Sequence, residues 1–162
     1  DADNSSSIFC CLRAARESCA EEPFLLLMAD QLLSAAIVEP LIAAPRPPGV
    51  SLVAADAEPW PHDYVDEATR LRFGADGMTV AAIGKHVSPW DALDTGAFLL
   101  APEAWSAVEH SPEDCELSVT FGELAKRDML HAVDVSGASW YDVDTVEDLE
   151  AASRLIAAGA SR

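Results

Sequence analysis

The sequence predicts a single α/β domain, with helices layered on both sides of a mixed β-sheet. Three observations carry this. Short apolar runs of strand length recur at Phe24–Met28, Val50–Ala55 and Ala97–Leu100. Segments with apolar residues at helical spacing alternate with them. An Asp-Gly pair at Asp76-Gly77, between apolar stretches, adds an antiparallel hairpin to that alternation. The chain has 162 residues, half of them hydrophobic, which suits one domain over 1–162 with a sizeable core.

Taken in order, Ile8, Cys11, Leu12 and Ala15 repeat at the spacing of a buried helix face, predicting a helix over Ile8–Arg16. The acidic turn Glu21-Glu22-Pro23 leads into Phe24–Met28, a continuous apolar run of the kind buried on both faces in a parallel sheet. Asp30 closes the run. Ligands of open α/β sheets bind outside the carboxyl ends of such strands, so Asp30 stands at a favourable address for a catalytic or metal-binding carboxylate. Asp is equally a preferred N-cap, and a helix predicted over Gln31–Ile37 would use it as one. Pro40 is expected to end or kink that helix.

Pro45–Gly49 is a rigid connector into the strand Val50–Ala55, and Ala57–Asp66 reads as an irregular excursion. The hairpin pairs Arg70–Phe73 with Met78–Ile83, and Gly84-Lys85-His86 follows it. Asp94-Thr95-Gly96 enters the strand Ala97–Leu100, and Pro102 opens a helix over Glu103–Glu109. A longer helix is predicted over Leu117–Arg127, then strands at Leu130–Val135 and Ser139–Val143 separated at Gly137. The last helix opens at Asp144-Thr145 and runs to about Ala158, with Gly159 as a C′ residue. Both Asp144…Glu147 and Thr145…Asp148 have capping-pair spacing.

Acids outnumber bases 28 to 10, and the net charge is −18. Nucleic acid is therefore excluded as a partner, because backbone phosphates need Lys and Arg clusters. No run reaches the roughly 18 apolar residues of a membrane span, and no basic leader opens the chain. Cys10, Cys11, Cys19 and Cys115 form no C-x-x-C pair, and His62, His86, His110 and His131 lack ligand spacing, which argues against zinc. Reduced cysteines in a cytoplasmic protein are the simplest expectation.

Several segments resemble one family in its own order. Ser136 to Ala152, containing Trp140-Tyr141-Asp142-Val143-Asp144-Thr145-Val146-Glu147-Asp148-Leu149, resembles the closing motif of sugar-phosphate nucleotidyltransferases, in the form of the inositol-1-phosphate cytidylyltransferase branch. Asp91-Ala92-Leu93-Asp94-Thr95-Gly96-Ala97-Phe98-Leu99, Ile83-Gly84-Lys85, Asp66–Thr69 and Phe24–Asp30 are similar to further segments of that branch. The resemblance implies a Rossmann-like α/β/α sandwich. It also implies transfer of a nucleotidyl, here cytidylyl, group from a nucleoside triphosphate to a phosphorylated polyol or sugar such as inositol 1-phosphate. By motif position Asp30 and Asp142 would hold Mg²⁺, Lys85 would meet the acceptor phosphate, and Asp94, Thr95 and Gly96 would shape the alcohol pocket. Read from residues alone, Asp142 could instead face solvent on an edge strand, Lys85 could be an ordinary surface lysine, and Asp94-Thr95-Gly96 could be only a turn. Asp144 and Asp148 read as helix-start acids.

The sequence departs from the family at its beginning. The family opens with a strand and a glycine-rich phosphate loop, whereas no glycine precedes Gly49 here and no lysine precedes Lys85. Asn4–Ile8 stands where the family has glycines, and Gln31 replaces a histidine common after the metal acid. The resemblance thus implies an N-terminally incomplete domain, inactive alone and associating through an exposed sheet edge; the alternative is a degenerate binding or oligomerisation module of the same fold.

Overall fold

The computed structural model describes residues 12, 14–17, 21–59, 68–112 and 116–157. The segment Asn4–Ile8, most of the first helix, the excursion from residue 60 onward, all four cysteines and Gly159 lie outside these residues. Residues 12 and 14–17 are helical, and the rest of the described chain forms eight strands and four further α-helices. The strands are β1 Phe24–Leu27, β2 Gln31–Leu33, β3 Ser51–Asp56, β4 Arg70–Phe73, β5 Val80–Gly84, β6 Ala92–Leu100, β7 Leu130–Asp134 and β8 Trp140–Asp142. The helices are α1 Ala35–Ala43, α2 Trp105–His110 (after a 3₁₀ turn at Pro102–Ala104), α3 Leu117–Ala125 and α4 Val146–Ala157.

Six strands form the main sheet, in the order β5-β4-β6-β3-β7 with β1 also on β6, and β2 and β8 form a separate ribbon. The β3–β7 pair is parallel and the rest are antiparallel, so the sheet is mixed. Side-chain alternation sorts its two faces. Val53, Ala55, Phe98 and Leu100 pack with Trp105, Val108, Phe121 and Leu124 of α2 and α3. Leu52, Ala54, Leu93 and Ala97 pack with Ile37 and Leu41 of α1 and with Trp140. Helices thus cover both faces, giving the expected three layers. All six residues of β3 are buried, as a strand covered on both faces requires.

Three local expectations are corrected. β1 is not a parallel strand: it pairs antiparallel with β6, Phe24 opposite Leu100 and Leu27 opposite Ala97, and its residues are half-buried or exposed. Phe24 instead gains its burial by stacking on Trp105, with ring centroids 4.6 Å apart. Asp30 caps no helix, because Gln31–Leu33 is the strand β2 and Ser34 occupies the N-cap of α1. Pro40 sits inside α1, which continues three residues beyond it; its carbonyl accepts the Ala44 N–H at the helix end.

β6 organises the region that follows. One edge of it is covered by β3; the other is shared by β1, along Ala97–Leu100, and β4, along Ala92–Leu93. Asp94-Thr95-Gly96 falls in the gap between β1 and β4, within a continuous strand and not in a simple turn. The ladder to β3 shifts register there, between Val53 and Ala55, and Gly96 has φ +77°. That left-handed backbone favours glycine.

Candidate active site

The strand-to-ribbon crossing lies beside this gap. Met28 donates its N–H to the Gly96 carbonyl at 3.0 Å, and the chain then turns tightly, with Gln31 N–H pointing back to the Met28 carbonyl at 3.4 Å. The turn delivers Asp30 to β8. The ribbon pairs Gln31 with Asp142 and Leu33 with Trp140, and one further bond, Val143 N–H to the Asp30 carbonyl at 2.9 Å, locks the two strand ends together. Trp140 is itself anchored, its indole N–H donating to the buried Asp56 carboxylate at 2.9 Å.

As a result, carboxylate oxygens of Asp30, Asp142 and Asp144 all lie within 4.8 Å of one another. Asp142 and Asp144 are two residues apart on extended chain, so their side chains share a face. Asp144 joins the cluster because it is not needed as a cap. The Asp148 carboxylate accepts the Thr145 N–H at 2.8 Å while the Thr145 hydroxyl accepts the Asp148 N–H at 3.1 Å, a reciprocal capping pair that settles the choice left open by spacing. Asp144 is therefore the cluster member that sequence reasoning assigned elsewhere; its D-x-D spacing at a strand end was the available signal.

The electrostatics follow from this crowding. Burial raises the Asp142 carboxyl to about 6, with the charges of Asp144 and Asp30 adding to the rise. Burial also pushes the Asp94 carboxyl up to about 7; the Gly96 N–H bond at 2.8 Å opposes the shift and the Asp142 charge adds to it. Three acids with hard oxygen donors converging on one point, Asp142 half-buried and Asp30 and Asp144 exposed, fit a divalent cation such as Mg²⁺ or Ca²⁺ better than a transition metal.

The other sequence-predicted residues divide. Gly96 is close to the cluster, but the space above its Cα is filled: a Cβ there would lie 2.8 Å from Gln31 Cγ and 3.1 Å from Met28 Cγ. Thr95 is fully buried and donates its hydroxyl to the Ala54 carbonyl at 3.1 Å, so its side chain serves the sheet and not a pocket. Lys85 is exposed just beyond β5, two strands away from Leu93, through Gly84–Arg70 and Arg70–Leu93 pairing. At the usual strand spacing that separation is about 10 Å. A separate pocket of about 510 Å³ at Ser34, Pro40, Asp134 and Gly137 contains none of the predicted residues.

No family model matches the chain. It is 32% identical over 133 residues to the bifunctional IPC transferase and DIPP synthase of Thermococcus kodakarensis, covering 82% of this chain and 29% of that protein. To the protein of the same name from Archaeoglobus fulgidus it is 35% identical over 140 residues, covering 86% and 26%. The chain therefore spans less than a third of the length of these relatives. Among solved structures, the inositol-1-phosphate CTP transferase from T. maritima superposes with a TM-score of 0.78 at 19% identity, covering 96% of this chain and 62% of that one. UDP-glucose pyrophosphorylase complexed with UDP-glucose gives 0.72 at 17% identity, over 92% and 61%. These superpositions establish a shared Rossmann-like fold. With the ordered motifs and the sequence similarity, they assign the chain to the sugar-phosphate nucleotidyltransferase family of enzymes, near its inositol-1-phosphate cytidylyltransferase branch.

Proposed function

We propose that this chain, over 1–162, supplies the metal- and acceptor-binding part of a nucleotidyltransferase that moves a cytidylyl group from CTP to a phosphorylated polyol such as inositol 1-phosphate. The carboxylate cluster of Asp30, Asp142 and Asp144 beside Asp94 is the observation that supports it most directly. In the reaction an acceptor phosphate oxygen bonds to the α-phosphorus, the bond from that phosphorus to the β-phosphate bridge oxygen breaks, and pyrophosphate leaves. Asp30, Asp142 and Asp144 would hold Mg²⁺, which when bound offsets the phosphate charge. Asp94, whose carboxylate accepts the Gly96 N–H, would accept substrate hydroxyls as well. Lys85 would reach the acceptor phosphate as a flexible point charge.

We infer further that these residues bind the acceptor without turning it over by themselves, since within them no glycine precedes Gly49 and a triphosphate cradle of backbone N–H groups needs glycine. Calorimetric titration tests this: inositol 1-phosphate is expected to bind in the presence of Mg²⁺, and Asp30→Asn to abolish the Mg²⁺ dependence. Absence of acceptor binding by the wild type sinks the assignment, and pyrophosphate release by the chain alone sinks the inactivity. β1 pairs only with β6 among the described strands, and we extend the proposal to self-association along its open edge. A single monomeric species in sedimentation at all concentrations would count against that extension.

A further inference from the structure

The side-chain carbonyl of Gln31 is buried and has no hydrogen-bond partner among the described residues. An orphaned amide oxygen of this kind is uncommon in folded proteins and carries an unrecovered desolvation cost. Its location is specific. Gln31 is paired directly with Asp142 across the ribbon, so the two side chains stand on one face, neighbours at cross-strand distance. The Gln31 stem lies on Gly96, with Cγ and Cδ 2.8 and 3.2 Å from where a Cβ would be. The Gly96 N–H, on the same residue, is held by the Asp94 carboxylate.

The acceptors that converge here are the carboxylates of Asp94 and Asp142 and the Gln31 carbonyl, of which the Gln31 carbonyl is the one unpartnered among the described residues; the Gln31 amide nitrogen is a donor on the same group. A cation satisfies a cluster of acids. The oxygens that lie within 4.8 Å of one another are those of Asp30, Asp142 and Asp144, whereas the Gln31 stem lies against Gly96, the residue whose N–H the Asp94 carboxylate holds. What the Gln31 carbonyl lacks is a donor, and a polyol presents donors as adjacent hydroxyls, one for this oxygen and one for the Asp94 carboxylate. A phosphate group would bring acceptors only.

We propose that Gln31 is a specificity-determining residue, its side-chain carbonyl accepting a hydrogen bond from one hydroxyl of a phosphorylated polyol whose neighbouring hydroxyl meets Asp94. The proposal rests on the acceptor assignment made above and names the residue that reads the acceptor. It carries a distinctive consequence. A residue kept for structure loses stability when replaced, whereas an orphaned acceptor kept for a ligand does not.

The test compares wild type with Gln31→Met, close in size and apolar, and with Gln31→Leu as a second variant. Melting temperature without ligand is measured together with calorimetric binding of inositol 1-phosphate and its monodeoxy analogues, in Mg²⁺. The variants are expected to melt at or above the wild-type temperature and to bind inositol 1-phosphate about 10-fold more weakly, the equivalent of one neutral hydrogen bond. One monodeoxy analogue is expected to bind wild type about 10-fold more weakly than the parent and to bind the variants as well as the parent does. The Mg²⁺ affinity should be unchanged. If wild type binds the parent and the variants discriminate among the deoxy analogues as it does, the Gln31 assignment is overturned while the acceptor reading stands. A lower melting temperature in both variants, with discrimination intact, assigns Gln31 a structural role and also overturns it. If wild type binds no polyol phosphate, the acceptor reading itself fails and this inference with it.

Discussion

Replacing Asp142 with asparagine should make the metal-free chain more stable and the metal-loaded chain less so than wild type. The carboxyl of Asp142 is raised from 3.8 to about 6 by burial and by the charges of Asp144 and Asp30. Its folded value lies above its unfolded one, so the ionised group opposes folding. That penalty is complete above about 6, declines as pH falls, and is gone below the unfolded value of 3.8. A shift of this size corresponds to at most about 3 kcal/mol at roughly 1.4 kcal/mol per unit, and solvent screening at a half-buried site reduces it to about 1–2 kcal/mol. Asparagine keeps the shape and discards the charge. For a domain of this length the gain amounts to about 3–6 °C in melting temperature at about pH 8 with a chelator present. Lowering the pH to about 4 should close the gap between the two proteins. Adding Mg²⁺ should reverse their order, since a hundredfold excess over the dissociation constant stabilises wild type by about 2.7 kcal/mol and the variant lacks a ligand. Differential scanning calorimetry at the two pH values, with and without Mg²⁺, reads all of this. A variant that melts below wild type in chelator, or equal stabilisation of both by Mg²⁺, would falsify the picture of three mutually repelling acids awaiting a cation.

Other substitutions probe how the site is held. Trp140→Phe removes the indole donor from the buried Asp56 carboxylate and should cost about 1–3 kcal/mol in urea denaturation; because β8 carries Asp142, Mg²⁺ affinity should fall as well. An unchanged denaturation midpoint would show that Asp56 finds another partner. Gly96→Ala combines a φ of +77° with a Cβ 2.8 Å from Gln31 Cγ, and should destabilise by about 2–4 kcal/mol. The double variant Gly96→Ala, Gln31→Ala should recover the overlap portion of that loss, which a double-mutant cycle measures. Asp148→Ala takes away half of the capping pair at α4 and should cost about 1 kcal/mol by thermal melting, whereas Glu147→Ala at the rejected spacing should leave the midpoint in place.

Much of the fold was legible because apolar periodicity reports burial. β3 and β7 stand close to where they were expected, β6 begins five residues before the apolar run Ala97–Leu100 and takes in Asp94-Thr95-Gly96, and the Asp76-Gly77 hairpin formed as its turn chemistry required: the Asp76 carboxylate accepts the Met78 and Thr79 N–H groups at 3.0 and 2.9 Å. What escaped was β2. Gln31, Leu32 and Leu33 are three residues whose extended conformation is enforced by Trp140–Asp142, more than a hundred positions away in the chain. No local signal announces such a pairing, and the apolar residues from Leu32 to Ile37 also fit a helical face. The direction of β1 was lost for the same reason, since an apolar run records burial and not the orientation of its neighbour.

The candidate site repeats that lesson at the level of single carboxylates. Asp30 and Asp142 could be singled out by motif, but what makes them a cluster is the short ribbon that sequence periodicity did not reveal. The Val143 N–H bond to the Asp30 carbonyl joins the backbone of one acid to the residue following the other, so their separation is set by a sheet ladder and not by flexible loops. Asp144 enters because Thr145 and Asp148 take over the start of α4. Its role could be read only once the capping choice was resolved, for the same two acids compete for both jobs. If the cluster holds the proposed cation, stability of the ribbon and affinity for that cation are one property. Weakening Trp140, a residue whose side chain does not belong to the acid cluster, should loosen the metal as surely as removing an acid.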